Sequence, residues 1–72
     1  MQGVNMCLST VYIQANGQRQ KVMQDVAKME SSEEGYLLIG LLGDQKLVNG
    51  RITKIDFVDN HLVILEKKAM PH

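Results

Sequence analysis

The sequence predicts an all-β domain, a small antiparallel barrel or sandwich, from three observations. Short runs rich in β-branched and aromatic residues recur along the chain, and turn signals separate them every eight to twelve residues. No apolar run is long enough to cross a membrane. The 72 residues contain no internal repeat and no linker, so we expect one folding unit of about 5–7 short strands.

The first predicted element is a hairpin. Residues 7–14 (CLSTVYIQ) are rich in β-branched and aromatic types, which is typical of a strand. Asn16-Gly17 follows, and this dipeptide favours a type I′ turn because both central residues of that turn need a positive φ. We therefore expect the chain to return antiparallel through Arg19 to Met23.

Residues 18–30 fit two interpretations. Val22, Met23 and Val26 have a helical spacing and lie among good helix formers, so local propensity alone favours a helix. The same residues also fit two short strands broken near Asp25. The neighbouring hairpins favour the strands, because tertiary context overrides weak local preference.

Further strands are predicted in the second half of the chain, each bounded by a turn signal. These signals are the polar residues 31–35 and the pairs Gly43-Asp44, Asn49-Gly50 and Asp59-Asn60. In residues 51–58, strict alternation would place Ile55 on one face and Ile52 on the other. The predicted strands are 36–39, 46–48, 51–58 and 61–66.

The charge balance weakens the case for nucleic-acid binding. Eight Lys and Arg residues balance eight Asp and Glu residues, and the basic positions are interleaved with acids along the chain. A nucleic-acid binder normally shows a basic excess, because neutralised phosphates supply most of the affinity. The N-terminus has no secretory signal pattern, and one unpaired cysteine fits a reducing compartment, so we expect a cytoplasmic protein.

Enzyme chemistry has little support in the sequence. There is no Ser/His/Asp arrangement, no glycine-rich phosphate loop and no acidic pair within an apolar run. Asp56 and Asp59 are predicted strand-end charges, and His61 is predicted to be a turn histidine. The methionines are expected to fill the core or lie near the chain ends. We therefore predict that the protein is not an enzyme.

The single cysteine, Cys7, has three possible roles: a small buried hydrophobe, a reactive nucleophile, or a ligand to a metal shared with another chain. With only His61 and His72 to join it, Cys7 cannot build a four-ligand zinc site of the usual Cys/His type within one chain. A domain this small usually needs an extra source of stability, and oligomerisation is the one left open. A two-fold axis would supply two Cys7 thiolates, which together with backbone nitrogens suit Ni(II) or Cu(II).

Four segments resemble the CooT family of small cytoplasmic nickel-binding proteins, which are associated with carbon monoxide dehydrogenase maturation. They are MCLSTVY (residues 6–12), VMQDV (22–26), LLGD (41–44) and GRITKID (50–56). The most specific element is the Met-Cys pair that opens the first strand. The resemblance runs from Met6 to about Glu66, which leaves residues 1–5 as an N-terminal extension and 67–72 as a polar tail.

The resemblance implies an SH3-like β-barrel, with strands rather than a helix over residues 18–30. It also implies a homodimer that shares one Ni(II) through the Cys7 thiolate of each subunit, with the backbone amides of Cys7 and Leu8 as further ligands. The implied partners are carbon monoxide dehydrogenase or its maturation factors. A small RNA-binding module with an SH3-like fold is the alternative, by analogy of fold.

Overall fold

The computed structural model of the protein describes residues 8–67, which form six strands in one sheet. Within these residues there is no helix, so the predicted all-β class is confirmed. The strands are β1 (Ser9–Ala15), β2 (Gln18–Ser32), β3 (Gly35–Gly40), β4 (Gln45–Val48), β5 (Arg51–Asp56) and β6 (Leu62–Glu66).

The strand order is β4-β3-β2-β1-β6-β5. Four of the neighbouring pairs are antiparallel, whereas β1 and β6 are parallel, with Thr10 opposite Leu62 and Gln14 opposite Glu66. The first and last strands of the chain therefore lie side by side in the middle of the sheet. Across residues 8–67, β4 and β5 are the two edges and the sheet is open, so barrel closure stays a prediction.

Residues 18–32 form one long strand, so the prediction of strand rather than helix is confirmed, whereas the predicted break near Asp25 is a bulge within a single strand. The first half of β2 pairs with β1 and the second half pairs with β3, and Val26 lies opposite both Ser9 and Gly40. Three register shifts each give β2 one residue more than its partner. At one of them Asp25 has a φ of 56°, a left-handed conformation that Asp tolerates better than most residues. Such bulges bend a strand, which allows β2 to serve both neighbours.

The predicted first hairpin is confirmed. Asn16 and Gly17 have φ values of 54° and 76°, as a type I′ turn requires. The turn joins β1 to β2 with Ala15 opposite Gln18. The tight turn fixes the register of this pair from the turn end.

The core lies on one face of the sheet. Val11, Leu38 and Leu65 are its fully buried large side chains, and they come from β1, β3 and β6. Burying each of them stabilises the fold by about 1.5–3 kcal/mol relative to exposure. The buried cluster comprises Val11, Val26, Leu38, Val48, Val63 and Leu65, with Ile13, Val22, Met23, Met29, Tyr36 and Ile52 packed against it.

Candidate functional site

The predicted site begins where β1 begins. Cys7, the predicted thiolate ligand, lies outside the described residues, as does His72. Leu8, whose backbone amide is the other predicted ligand, is the first described residue and is half-buried directly before β1. Of the two predicted ligands, the structure therefore describes the position of Leu8 alone.

Three strand ends meet at this end of the sheet. The Thr10 N–H donates to the His61 carbonyl oxygen at 3.0 Å, and Thr10 lies opposite Leu62 at the start of β6. Leu62 in turn lies opposite Asp56, the last residue of β5. The parallel β1–β6 register thus brings His61 level with the start of β1. His61 itself has a φ of 51° and precedes β6, so the predicted turn histidine is confirmed.

The Asp56 carboxylate organises the loop over residues 57–60. It accepts hydrogen bonds from the N–H groups of Asp59 and Val58, both at 3.0 Å, and from the Asn60 side-chain amide at 3.4 Å. These bonds hold the pKa of Asp56 below its ordinary value of 3.8, the Asp59 and Val58 N–H groups first. The loop ends β5 at Asp56, two residues earlier than the sequence predicts.

An exposed apolar rim lies beside the start of β1. Its residues are Ile55, Phe57 and Val58, whose side chains are 48%, 61% and 82% exposed. They belong to the end of β5 and to the loop that Asp56 holds in place. Clustered exposed apolar surface of this kind marks an interaction site more often than scattered single residues do.

A groove of about 470 Å³ opens between this rim and the second half of β2. Ser9, Val11 and Val63 line it where β1 and β6 run together. A register shift between Ile52 and Lys54 breaks the predicted alternation of β5, so Ile52 and Ile55 both line the groove. The other wall carries Ala27, Lys28, Met29, Ser31 and Tyr36, and Phe57 completes the β5 side.

The described residues do not build a metal site by themselves. Between residues 8 and 67, no group of three or more His, Cys, Asp or Glu side chains is close enough to hold a metal ion. Met23 and Met29 pack against the core, as predicted.

The sequence reasoning missed the apolar rim and the groove. One signal was available, because Phe57 and Val58 are adjacent apolar residues directly before the Asp59-Asn60 turn. Two neighbouring strand residues point to opposite faces, so one of the two would face solvent in a half-buried strand.

Among the described residues, no helix is long and apolar enough to span a membrane.

Comparison with known proteins identifies the family. The sequence profile of the CO dehydrogenase accessory protein CooT matches residues 6–66, which include Cys7, Leu8 and all six strands. A crystal structure of a candidate CooT protein from Carboxydothermus hydrogenoformans has a TM-score of 0.80 and 25% sequence identity. The similarity covers 88% of this chain and 100% of that one, and no curated protein matches. The chain belongs to the CooT family of carbon monoxide dehydrogenase accessory proteins.

Proposed function

We propose that this protein holds Ni(II) as cargo for carbon monoxide dehydrogenase maturation, with one ion shared by two subunits through Cys7. The observation that carries the proposal is the family match, which spans Cys7 and the strand that follows it. The accessory role of the family is one of support, so no catalysis by this chain is required. We place the role in the cytoplasm, where a lone thiol stays reduced.

The donor chemistry suits a square-planar ion. Each subunit would supply the Cys7 thiolate and a backbone nitrogen, of which the Leu8 amide is the described candidate. Two sulfur and two nitrogen donors in a plane favour Ni(II) or Cu(II) over Zn(II), which prefers a tetrahedron. A free thiol has a pKa of about 8.5, and a backbone amide nitrogen binds a metal ion only after it loses its proton. The ion must therefore displace a proton from each donor, and affinity is expected to rise between about pH 6 and pH 8.

The apolar rim supports the shared site. Metal–sulfur bonds of about 2.3 Å would hold the two Cys7 sulfur atoms within about 5 Å of each other. The starts of the two β1 strands would then lie side by side, next to the rim formed by Ile55, Phe57 and Val58. A second copy in that position would cover apolar surface that one copy leaves exposed, and a domain of this size gains stability from such burial.

A Ni(II) titration of the full chain tests the proposal, with thiolate-to-metal charge-transfer absorbance as the readout. We expect saturation at one ion per two chains, loss of the band in Cys7→Ser, and a lower apparent affinity at pH 6 than at pH 8. His61→Gln is the matched control, because His61 lies level with the start of β1 but is not a proposed ligand. Unchanged binding by Cys7→Ser would rule out the shared thiolate site.

A further inference from the structure

The sheet collects basic side chains that are scattered in the sequence. Val11, Ile13 and Leu65 face the core, so their strand neighbours Tyr12 and Gln14 lie on the opposite, outer face. Cross-strand pairing then places exposed cations on that face, in two rows that run across β2, β1, β6 and β5. The rows are Lys21–Tyr12–Ile64–Lys54 and Arg19–Gln14–Glu66–Arg51, and we call Arg19, Lys21, Arg51 and Lys54 the basic face.

The four cations are close together. Neighbouring strands lie about 4.8 Å apart, so Lys21 and Lys54 are separated by about 14 Å at the backbone. The two rows are about two residues apart along each strand, or about 7 Å. The basic face therefore concentrates its charge within a patch of about 15 Å, although the whole chain is neutral.

The two rows contain one acid, Glu66, and its ion pair with Arg51 is weak. Glu66 Oε1 lies 3.2 Å from Arg51 Nη2, and both side chains are largely exposed. An exposed ion pair of this kind contributes little and rearranges readily when a better partner arrives. Asp56, at the end of β5, accepts hydrogen bonds from its own loop, and its attraction to Lys54 is the smallest of the effects on its pKa. The basic face thus keeps most of its charge for an external anion.

The centre of the basic face offers little aromatic surface. Tyr12 is half-buried, and the guanidinium carbon of Arg19 lies 5.7 Å from the centre of its ring. Ile64, beside Tyr12, is only 3% exposed. Binding to single-stranded nucleic acid depends on bases stacking on aromatic rings. This face presents cations around a single half-buried ring instead.

The rest of the described surface carries more exposed acids than bases, which limits the size of an anionic partner. A long polyanion such as RNA would approach these acids as well as the basic face, and the neutral chain would give it no long-range attraction. A compact patch of carboxylates would contact the cations alone. The exposed acids away from the two rows are Asp25, Glu30, Glu33, Glu34, Asp44 and Asp59.

We propose that the basic face binds an acidic patch on the surface of a partner protein. The guanidinium groups of Arg19 and Arg51 are planar and can each donate two hydrogen bonds to one carboxylate. The flexible side chains of Lys21 and Lys54 add positive charge around them. The core and the groove between the apolar rim and β2 lie on the other face of the sheet. An acidic partner on the basic face therefore leaves the start of β1 free, and the proposal does not depend on nickel.

Fluorescence anisotropy with a labelled glutamate-rich peptide tests the proposal, using the full chain at about 150 mM salt so that distant charges are screened. We expect Lys21→Glu/Lys54→Glu to weaken binding by about tenfold or more. Lys28→Glu/Lys46→Glu is the matched control, because it makes the same change in net charge away from the two rows. Glu66→Gln, which removes the acid of the face, should strengthen binding.

Three results would overturn the proposal. They are equal losses in both double variants, no binding of the peptide by the unmodified chain, and tighter binding of a single-stranded oligonucleotide of the same charge. The last result would identify the face as an RNA site. If Lys21→Glu/Lys54→Glu does not fold by circular dichroism, Lys21→Gln/Lys54→Gln replaces it and must still bind more weakly than Lys28→Gln/Lys46→Gln.

Discussion

The packed centre of the core and the apolar rim use the same kinds of side chain in opposite ways. Val11, Leu38 and Leu65 are fully buried and join β1, β3 and β6. Phe57 and Val58, at the end of the same sheet, are mostly exposed although they are large and apolar. The centre contributes to the stability of each chain, whereas the rim contributes little until something covers it. Hydrophobicity alone therefore does not identify the residues that stabilise this fold.

The largest expected effect comes from truncating the centre. Leu38→Ala should lower the free energy of unfolding by about 2–5 kcal/mol, because it removes buried methyl groups and leaves a cavity. Phe57→Ala should cost about 1 kcal/mol or less, because most of that ring is already in solvent. Urea denaturation at one fixed protein concentration compares the two. Equal losses would contradict the distinction between centre and rim.

Replacing Gly35 should weaken the pairing of β3 with the edge strand β4. A Cβ on Gly35 would collide with the Val48 carbonyl oxygen, and its φ of 144° is one that other residues rarely adopt. Gly35→Ala should therefore destabilise the chain by about 1–3 kcal/mol and separate β3 from β4. Gly17→Ala is the control, because Gly17 has a φ of 76° but open space around it, and it should cost about 1 kcal/mol. A smaller loss at Gly35 than at Gly17 would refute the steric argument.

Acid should loosen the loop that carries the rim. The pKa of Asp56 is lowered in the folded chain, so its contribution to stability is present above the ordinary value of 3.8 and is lost as the pH falls below it. Asp56→Ala lacks this contribution at every pH and should lose less stability on acidification than the unmodified chain. Acid titrations followed by circular dichroism compare the two proteins. Parallel titration curves would show that the Asp56 carboxylate does not hold the loop.

The smallest effect on stability, with the largest effect on association, is expected at the rim. Phe57→Ser should leave the unfolding free energy of the monomer within about 1 kcal/mol and weaken dimer formation about tenfold or more. Sedimentation equilibrium with and without Ni(II) measures the change. Lys46→Ser is the surface control, because Lys46 lies on the edge strand β4. Unchanged association of Phe57→Ser would exclude the rim from the interface.

Local sequence signals predicted much of the fold, but they did not predict the bulged strand β2. Asn16-Gly17 fixed the first hairpin because both φ values follow from residue type. In β2, Met23, Val26 and Met29 all contact the core at a spacing of three, since extra residues interrupt the two-residue alternation. That spacing resembles a helix. A single sequence contains no signal that would separate a repeatedly bulged strand from a helix at such positions.

The sequence predicts a candidate site at Cys7 and Leu8, which stays a prediction, and it did not predict the surroundings of that site. The Met-Cys opening and the strand after it carried the resemblance that the family match confirms. The basic face arises from pairing between distant segments, because Tyr12 lies opposite Ile64 and so joins the hairpin that carries Lys21 to the hairpin that carries Lys54. Register between distant strands depends on the whole fold, so the sequence shows the cations as scattered although the sheet collects them.

The parallel pairing of β1 with β6 has a consequence for how the chain folds. Thr10 meets Leu62 only after nearly the whole chain has been synthesised, and closing so long a loop carries an entropic cost before its contacts form. Folding should therefore be slow for a protein of this size, with the local β1–β2 and β2–β3 hairpins forming first. Until β6 is in place, one edge of β1 has no strand to form hydrogen bonds with. β1 is thus paired early on one side, with β2, and gains its second neighbour only when β6 has been made.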